Sequence, residues 1–184
     1  MHRTFIAVKI KPEERLSQFI NTLKQELREE KIRWVDPENI HITLAFLGDT
    51  NEDDISGIKE MLKTRCSGFG EVDFILKGAG VFKNLNDPRV IWTGLDKAET
   101  LSELHKIIIK GIIEIGIESE DRDFRPHLTL GRVKWINNKS RLKDLIERFA
   151  GTEFQDVIVP EVVFFESILN HEGAVYKPLL ICKL

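Results

Sequence analysis

Two tetrapeptides hold the side chains best suited to chemistry: His41-Ile42-Thr43-Leu44 and His127-Leu128-Thr129-Leu130. In each, large apolar residues alternate with polar ones, the pattern of a half-buried strand. Residues i and i+2 of a strand share a face. His41 and Thr43 therefore project together while Ile42 and Leu44 turn into a core, and the second copy repeats this. An imidazole titrates near pH ~6.5. One of a pair can thus be neutral, as a general base, while the other is protonated, as a general acid. A threonine hydroxyl can donate to a phosphoryl oxygen. Two imidazoles and two hydroxyls around one cleft suit acid–base work on a phosphate ester. One His on a strand is commonly a satisfied surface or core residue, and Thr is a good strand former. The repetition is what singles these out.

A rival reading makes both histidines metal ligands, with Asp36 and Asp49 completing the set. Zinc sites take three or four protein ligands. His2, His105 and His171 fit no ligand spacing, and neither HExxH nor CxxC occurs. The strings GxSxG, GxxxxGK[ST] and GxGxxG are missing too, and Gly78-Ala79-Gly80 reads as a turn. The residues predict no metal and no cofactor.

The elements must bring the motifs together. The chain has 184 residues and is 42% apolar, enough for one large domain or two fused lobes and too apolar for a disordered chain. A net charge of −3 excludes a global basic field, so any nucleic acid must be gripped locally. Two isolated cysteines and no signal-like start predict a reducing, cytoplasmic setting. No apolar run reaches the roughly 18–20 residues of a membrane span. The predicted strands are Thr4–Ile10, Ile32–Val35, Ile40–Leu47 (ending at Gly48-Asp49), Val72–Leu76, Arg89–Leu95, the second motif to Trp135, Val157–Val159, Val162–Phe165 and Tyr176–Cys182. Helices are expected from Pro12, after Thr50 or Asn51, over Lys97–Ile115 and over Arg141–Phe149. Gly78 to Pro88 and Glu118–Asp123 read as loops, and Asn170-His171-Glu172-Gly173 as a turn.

The motifs lie 86 positions apart, and that shift lays Arg3 on Arg89, Phe5 on Ile91, Leu23 on Ile109 and Leu27 on Ile113. Matching flanks predict an internal duplication. The expected fold is α+β and bilobal: two pseudo-repeats, about 1–86 and 87–184, with antiparallel sheets, helices packed outside and a cleft between lobes.

The stretches WVDPENIHITLAFLGD and FRPHLTLGRV resemble the paired signatures of the two-histidine phosphoesterases, most closely the bacterial and archaeal 2′-5′ RNA ligase group, also described as RNA 2′,3′-cyclic phosphodiesterases. RTFIAVKI and the GVF…PRVIWTGL segment fit the same group. The resemblance implies metal-independent hydrolysis of an RNA 2′,3′-cyclic phosphate end to a 2′-phosphomonoester. It also implies a second activity, joining RNA halves such as tRNA halves through a 2′-5′ bond. It makes His41 the proton donor and His127 the proton acceptor, with Thr43, Thr129 and Arg132 binding the phosphate. Strict parity places Arg132 with Leu128 and Leu130, away from His127; a bulge helped by Gly131 would turn it in. Arg125, Arg132 and Lys134 supply local positive charge. Phe46, Phe82, Trp92 and Tyr176 are candidate base-stacking platforms, Phe82 foremost because of its glycine-rich surroundings. The expected protein is a monomeric RNA-end enzyme. Two alternatives stand beside it: a phosphoesterase for a small cyclic phosphate or a 2′-5′ oligonucleotide, and a non-catalytic RNA-end-binding module.

Overall fold

The computed structural model describes residues 1–118, 124–171 and 173–184. Most of the expected Glu118–Asp123 loop and Glu172 of the expected turn lie outside the described residues. In chain order the elements are β1 (His2–Lys9), α1 (Glu14–Glu26), β2 (Lys31–Trp34), β3 (His41–Thr50), α2 (Glu52–Cys66), β4 (Val72–Asn84) and β5 (Asp87–Asp96). There follow α3 (Glu99–Glu114), β6 (Leu128–Trp135), α4 (Lys139–Phe149), β7 (Glu153–Val159), β8 (Glu161–Leu169) and β9 (Ala174–Lys183). They form the expected α+β fold. One sheet has the order β3-β1-β8-β9 and the other β2-β6-β5-β4-β7, and every pairing is antiparallel.

Alternation decides which face of each sheet is covered. Ile6, Val8, Ile42 and Leu44 of the first sheet and Ile91, Leu128, Leu130 and Leu76 of the second enter one continuous core with the helices' apolar stripes. Helix α1 lies on β7, α4 on β4, and α3 against both β3 and β4. Helix α2 begins in a capping box, in which Asn51 accepts from the Asp54 amide and the Asp54 carboxylate accepts from the Asn51 amide. His2 ties the start of β1 to Glu52 of α2 and Glu166 of β8, at 2.8 and 2.6 Å. Cys66 and Cys182 are free and buried; burial pushes the Cys66 thiol up to about 12, so it is no nucleophile.

The segment Gly78–Pro88, expected as a loop, is a hairpin: β4 runs to Asn84 and β5 starts at Asp87. Its glycines serve strand geometry. Gly78 adopts φ +73° at a bulge between Lys77 and Ala79, and Thr93 Oγ1 donates to its carbonyl at 2.6 Å. A Cβ on Gly80 would lie 2.2 Å from the Trp92 indole. Phe82 therefore stands on a strand. Gly48 likewise does not end β3, which continues to Thr50.

The register also revises the repeat. Thr43 lies opposite Ala7 and Thr129 opposite Trp92, so the partner strands β1 and β5 correspond at a shift of 85, not 86. Phe5 matches Val90, and Ile6 matches Ile91, both wholly buried. The same shift carries the buried stripe of the first helical segment, Leu16, Phe19, Leu23 and Leu27, onto Leu101, Leu104, Ile108 and Ile112. The 86-residue shift had put Leu27 on Ile113, which is 56% exposed. The halves also exchange strands: β4 of the first half lies beside β5, and β8 and β9 of the second half join β1.

Candidate active site

His41 opens β3 and His127 immediately precedes β6. Each ring is suspended from a backbone carbonyl two residues earlier in the chain. Nδ1–H of His41 donates to the Asn39 carbonyl at 2.6 Å, and Nδ1–H of His127 to the Arg125 carbonyl at 2.7 Å. The chain segments before them set this up. Asp36 caps a 3-10 turn at Pro37–Asn39, which holds the Asn39 carbonyl; Pro126 disfavours helical backbone at Arg125. A carbonyl only accepts, so the proton is held at Nδ1 and Nε2 is left to exchange one.

Two residues after each histidine the threonine faces the same way, between buried neighbours: Ile42 and Leu44, Leu128 and Leu130. The next residues break strict alternation in both strands. In β3, Ala45 pairs with Ile6 and Thr43 with Ala7, leaving Leu44 as an inserted residue. In β6, Gly131 pairs with Ile91 and Thr129 with Trp92, leaving Leu130 inserted. Each bulge turns the residue two positions on to the cleft side: Phe46 in β3 and Arg132 in β6, both exposed. Gly131 permits a close approach, since a Cβ there would lie 2.9 Å from both Ile32 and Trp34 of β2.

His41, Thr43 and Arg132 line one cavity of about 840 Å³, together with Arg3, Arg33 and Tyr176. His127 stands close enough for its charge to bear on His41. Burial lowers the His41 pKa most, and the positive charges of Arg132 and His127 lower it further, against a raising hydrogen bond to Asn39. The free site therefore favours neutral His41, and an anion between His41 and Arg132 would act against that lowering.

Aromatic rings surround both imidazoles. His41 packs against Phe5 at 5.0 Å and edge-on to Tyr176 at 5.2 Å, with Phe165 stacked on Phe5 at 5.2 Å. Phe82 meets His127 edge-on at 4.7 Å and leans on Trp92. Phe46 lies under Arg3, whose guanidinium carbon is 5.1 Å from the ring centre. Phe5 and Phe165 were not singled out in the sequence. Their signal is only alternation, and the stack of Phe165 on Phe5 and of Phe5 against His41 depends on β1, β3 and β8 being neighbours. His127 and Thr129 are not among the residues lining that cavity, and neither are Arg125 and Lys134. Among the described residues, no group of three or more His, Cys, Asp or Glu side chains is placed to hold a metal ion. Nor is any described helix long and apolar enough to cross a membrane.

The chain is similar to known proteins over nearly its whole length. The family model described as LigT like phosphoesterase matches residues 8–92 and 94–176. A protein of Methanothermobacter thermautotrophicus named RNA 2′,3′-cyclic phosphodiesterase is 32% identical over 184 residues, covering 99% of this chain and 98% of its own. Its namesake in Thermotoga maritima is 36% identical over 183 residues, covering 98% and 95%. Among solved structures, TT0787 of Thermus thermophilus superposes with a TM-score of 0.82 at 25% identity, over 99% of this chain and 97% of that one. Escherichia coli LigT complexed with 3′-AMP gives 0.77 at 22% identity, over 100% and 98%, a likeness of fold. The paired histidine–threonine strands thus sit on a scaffold shared over the whole chain, and the protein belongs to the LigT-like family of two-histidine phosphoesterases.

Proposed function

We propose that this protein hydrolyses RNA 2′,3′-cyclic phosphodiester ends to 2′-phosphomonoesters by two-histidine acid–base catalysis without a metal. The observation that carries the reading is the equivalent suspension of the two imidazoles, each fixed at Nδ1 and free at Nε2. The names of full-length relatives support the substrate class. In the reaction, His127 Nε2 takes a proton from water as the water oxygen bonds to phosphorus. The bond from phosphorus to O3′ breaks, and protonated His41 gives its Nε2 proton to O3′. Attacking and leaving oxygens lie roughly in line. Thr43 and Thr129 donate to the non-bridging oxygens, and the Arg132 guanidinium offsets their charge. The phosphodiester anion also raises the depressed pKa of His41, so substrate binding recruits the acid. With a 5′-hydroxyl in the place of water, the same displacement joins RNA ends, tRNA halves among them: O5′ bonds to phosphorus as His127 takes its proton, the bond to O3′ breaks as His41 protonates O3′, and a 2′-5′ bond is left.

The test is a defined RNA with a 2′,3′-cyclic phosphate, in excess over enzyme, with and without chelator. Multiple turnovers to a 2′-phosphate in chelator are expected. A predominant 3′-phosphate would reverse the donor and acceptor. Activity lost in chelator and restored by zinc or manganese would refute the metal-free mechanism, and binding without turnover would leave only an RNA-end-binding module.

A further inference from the structure

The edge strand β2 lies antiparallel beside β6, with Arg33 directly opposite Arg132. Ile32 and Trp34 of β2 pack against the core, so Arg33 alternates onto the cleft face with Arg132. Like charges directly opposite each other across a ladder repel. A phosphate brought next to them would lower that repulsion. Both line the 840 Å³ cavity, and Arg3 reaches the same space from the first sheet, held over Phe46. Asp36 is the only carboxylate among the described residues lining it. Drug-sized ligands occupy cavities of ~300–1,000 Å³, so one ribose cyclic phosphate leaves much of this space unfilled. Arg33 stands one strand, about 4.8 Å, farther from β5 than Arg132. From there the cavity runs toward the β8–β9 turn, lined by Leu169, Asn170 and Gly173.

We propose that Arg33, with Arg3, forms a second anion subsite beside Arg132 for the phosphodiester one nucleotide upstream of the reacting phosphate. The inference rests on the cyclic phosphodiesterase reading and sharpens it: the preferred substrate is an RNA chain, and a nucleoside 2′,3′-cyclic phosphate reaches only Arg132. Planar guanidiniums suit bidentate capture of a phosphate. The ladder fixes the backbone from which Arg33 and Arg132 project side by side.

The experiment compares wild type and Arg33→Gln on three substrates: a nucleoside 2′,3′-cyclic phosphate, a dinucleotide with the same end, and that dinucleotide with a neutral methylphosphonate linkage. Wild type should favour the charged dinucleotide by about 10-fold in kcat/KM, the size of one charge-assisted hydrogen bond. Arg33→Gln should abolish this preference while leaving mononucleotide hydrolysis unchanged, which also shows that the variant folds. On the methylphosphonate substrate the substitution should have no effect. The slope of log kcat/KM against log salt for the charged dinucleotide should become shallower by ~0.7. Equal slowing of mononucleotide and dinucleotide, or equal slowing of the charged and neutral dinucleotides, would overturn the subsite. Calorimetric binding of dinucleotide and mononucleotide 2′-phosphates separates the subsite from the activity. Tighter dinucleotide binding that Arg33→Gln removes supports the subsite whatever the turnover. Equal binding of both by wild type overturns it.

Discussion

In the proposed mechanism each imidazole, anchored at Nδ1, works at Nε2, so its removal deletes a proton-transfer role as well as its ring contacts with Phe5 and Tyr176 or with Phe82. His41→Ala and His127→Ala should each slow hydrolysis about 10²–10⁴-fold while circular dichroism still shows the folded protein, with a lower melting temperature for His41→Ala from the lost ring contacts. Thr43→Ala and Thr129→Ala each remove one hydrogen bond to phosphate and should slow it less. Near-normal turnover in either histidine variant would end the two-histidine mechanism. The electrostatics give a second test. Burial, Arg132 and His127 all lower the His41 pKa, so NMR titration of the free protein should place it below the usual histidine value. Arg132→Gln removes one lowering charge and should move it up; a further fall would show that the Arg132 charge does not act on His41. The stability sign follows. Below pH ~6.5 the unfolded chain protonates this histidine before the folded one does, so His41's contribution to stability falls as pH drops toward its folded pKa. His2 has the opposite sign: hydrogen bonds to Glu166 and Glu52 raise its pKa, and its contribution is lost as pH rises through that raised value. His2→Ala should therefore lower the melting temperature more at pH 5 than at pH 9. The rate itself should be bell-shaped in pH, with limbs belonging to the coupled pair.

At the scale of the element, the bulge after each motif decides what joins the histidines. Gly131→Ala would press a methyl group onto Ile32 and Trp34, and should destabilise the fold by about 1–3 kcal/mol and shift Arg132 out of the cleft. The measurement is denaturant melting beside kcat/KM. A variant with wild-type stability and activity would show that the close approach at Gly131 is dispensable. The contrast between the two motifs and their surroundings explains how much was legible in the sequence. His41, Thr43, His127 and Thr129 could be read because alternation is local and each motif is repeated. Arg132 fails strict alternation, because a bulge depends on the partner strand as well as on its own residues. Gly78 and Gly80 read as a loop for the same reason: Thr93 and Trp92, the side chains that require them, lie on β5. The aromatic surround of His41 was out of reach because Phe5, Phe165 and Tyr176 come together only through the order β3-β1-β8-β9.

For the whole molecule, the governing fact is that neither sequence half builds its own sheet. A net charge of −3 coexists with a cavity holding Arg3, Arg33 and Arg132, so attraction for RNA is local and should weaken steeply with added salt. Fragments 1–86 and 87–184 should each be unfolded and inactive alone, and mixing them should restore structure and turnover in proportion to complex formed. A separately folded first fragment would contradict the exchange of β4 for β8 and β9. That exchange also sets a clock on synthesis. His41 emerges from a ribosome well before Tyr176, whose ring meets it edge-on, and before Phe165, which stacks on the Phe5 ring beside it. An unfinished chain carries both motifs with no assembled cleft, so a nascent or prematurely stopped product should not process the RNA around it.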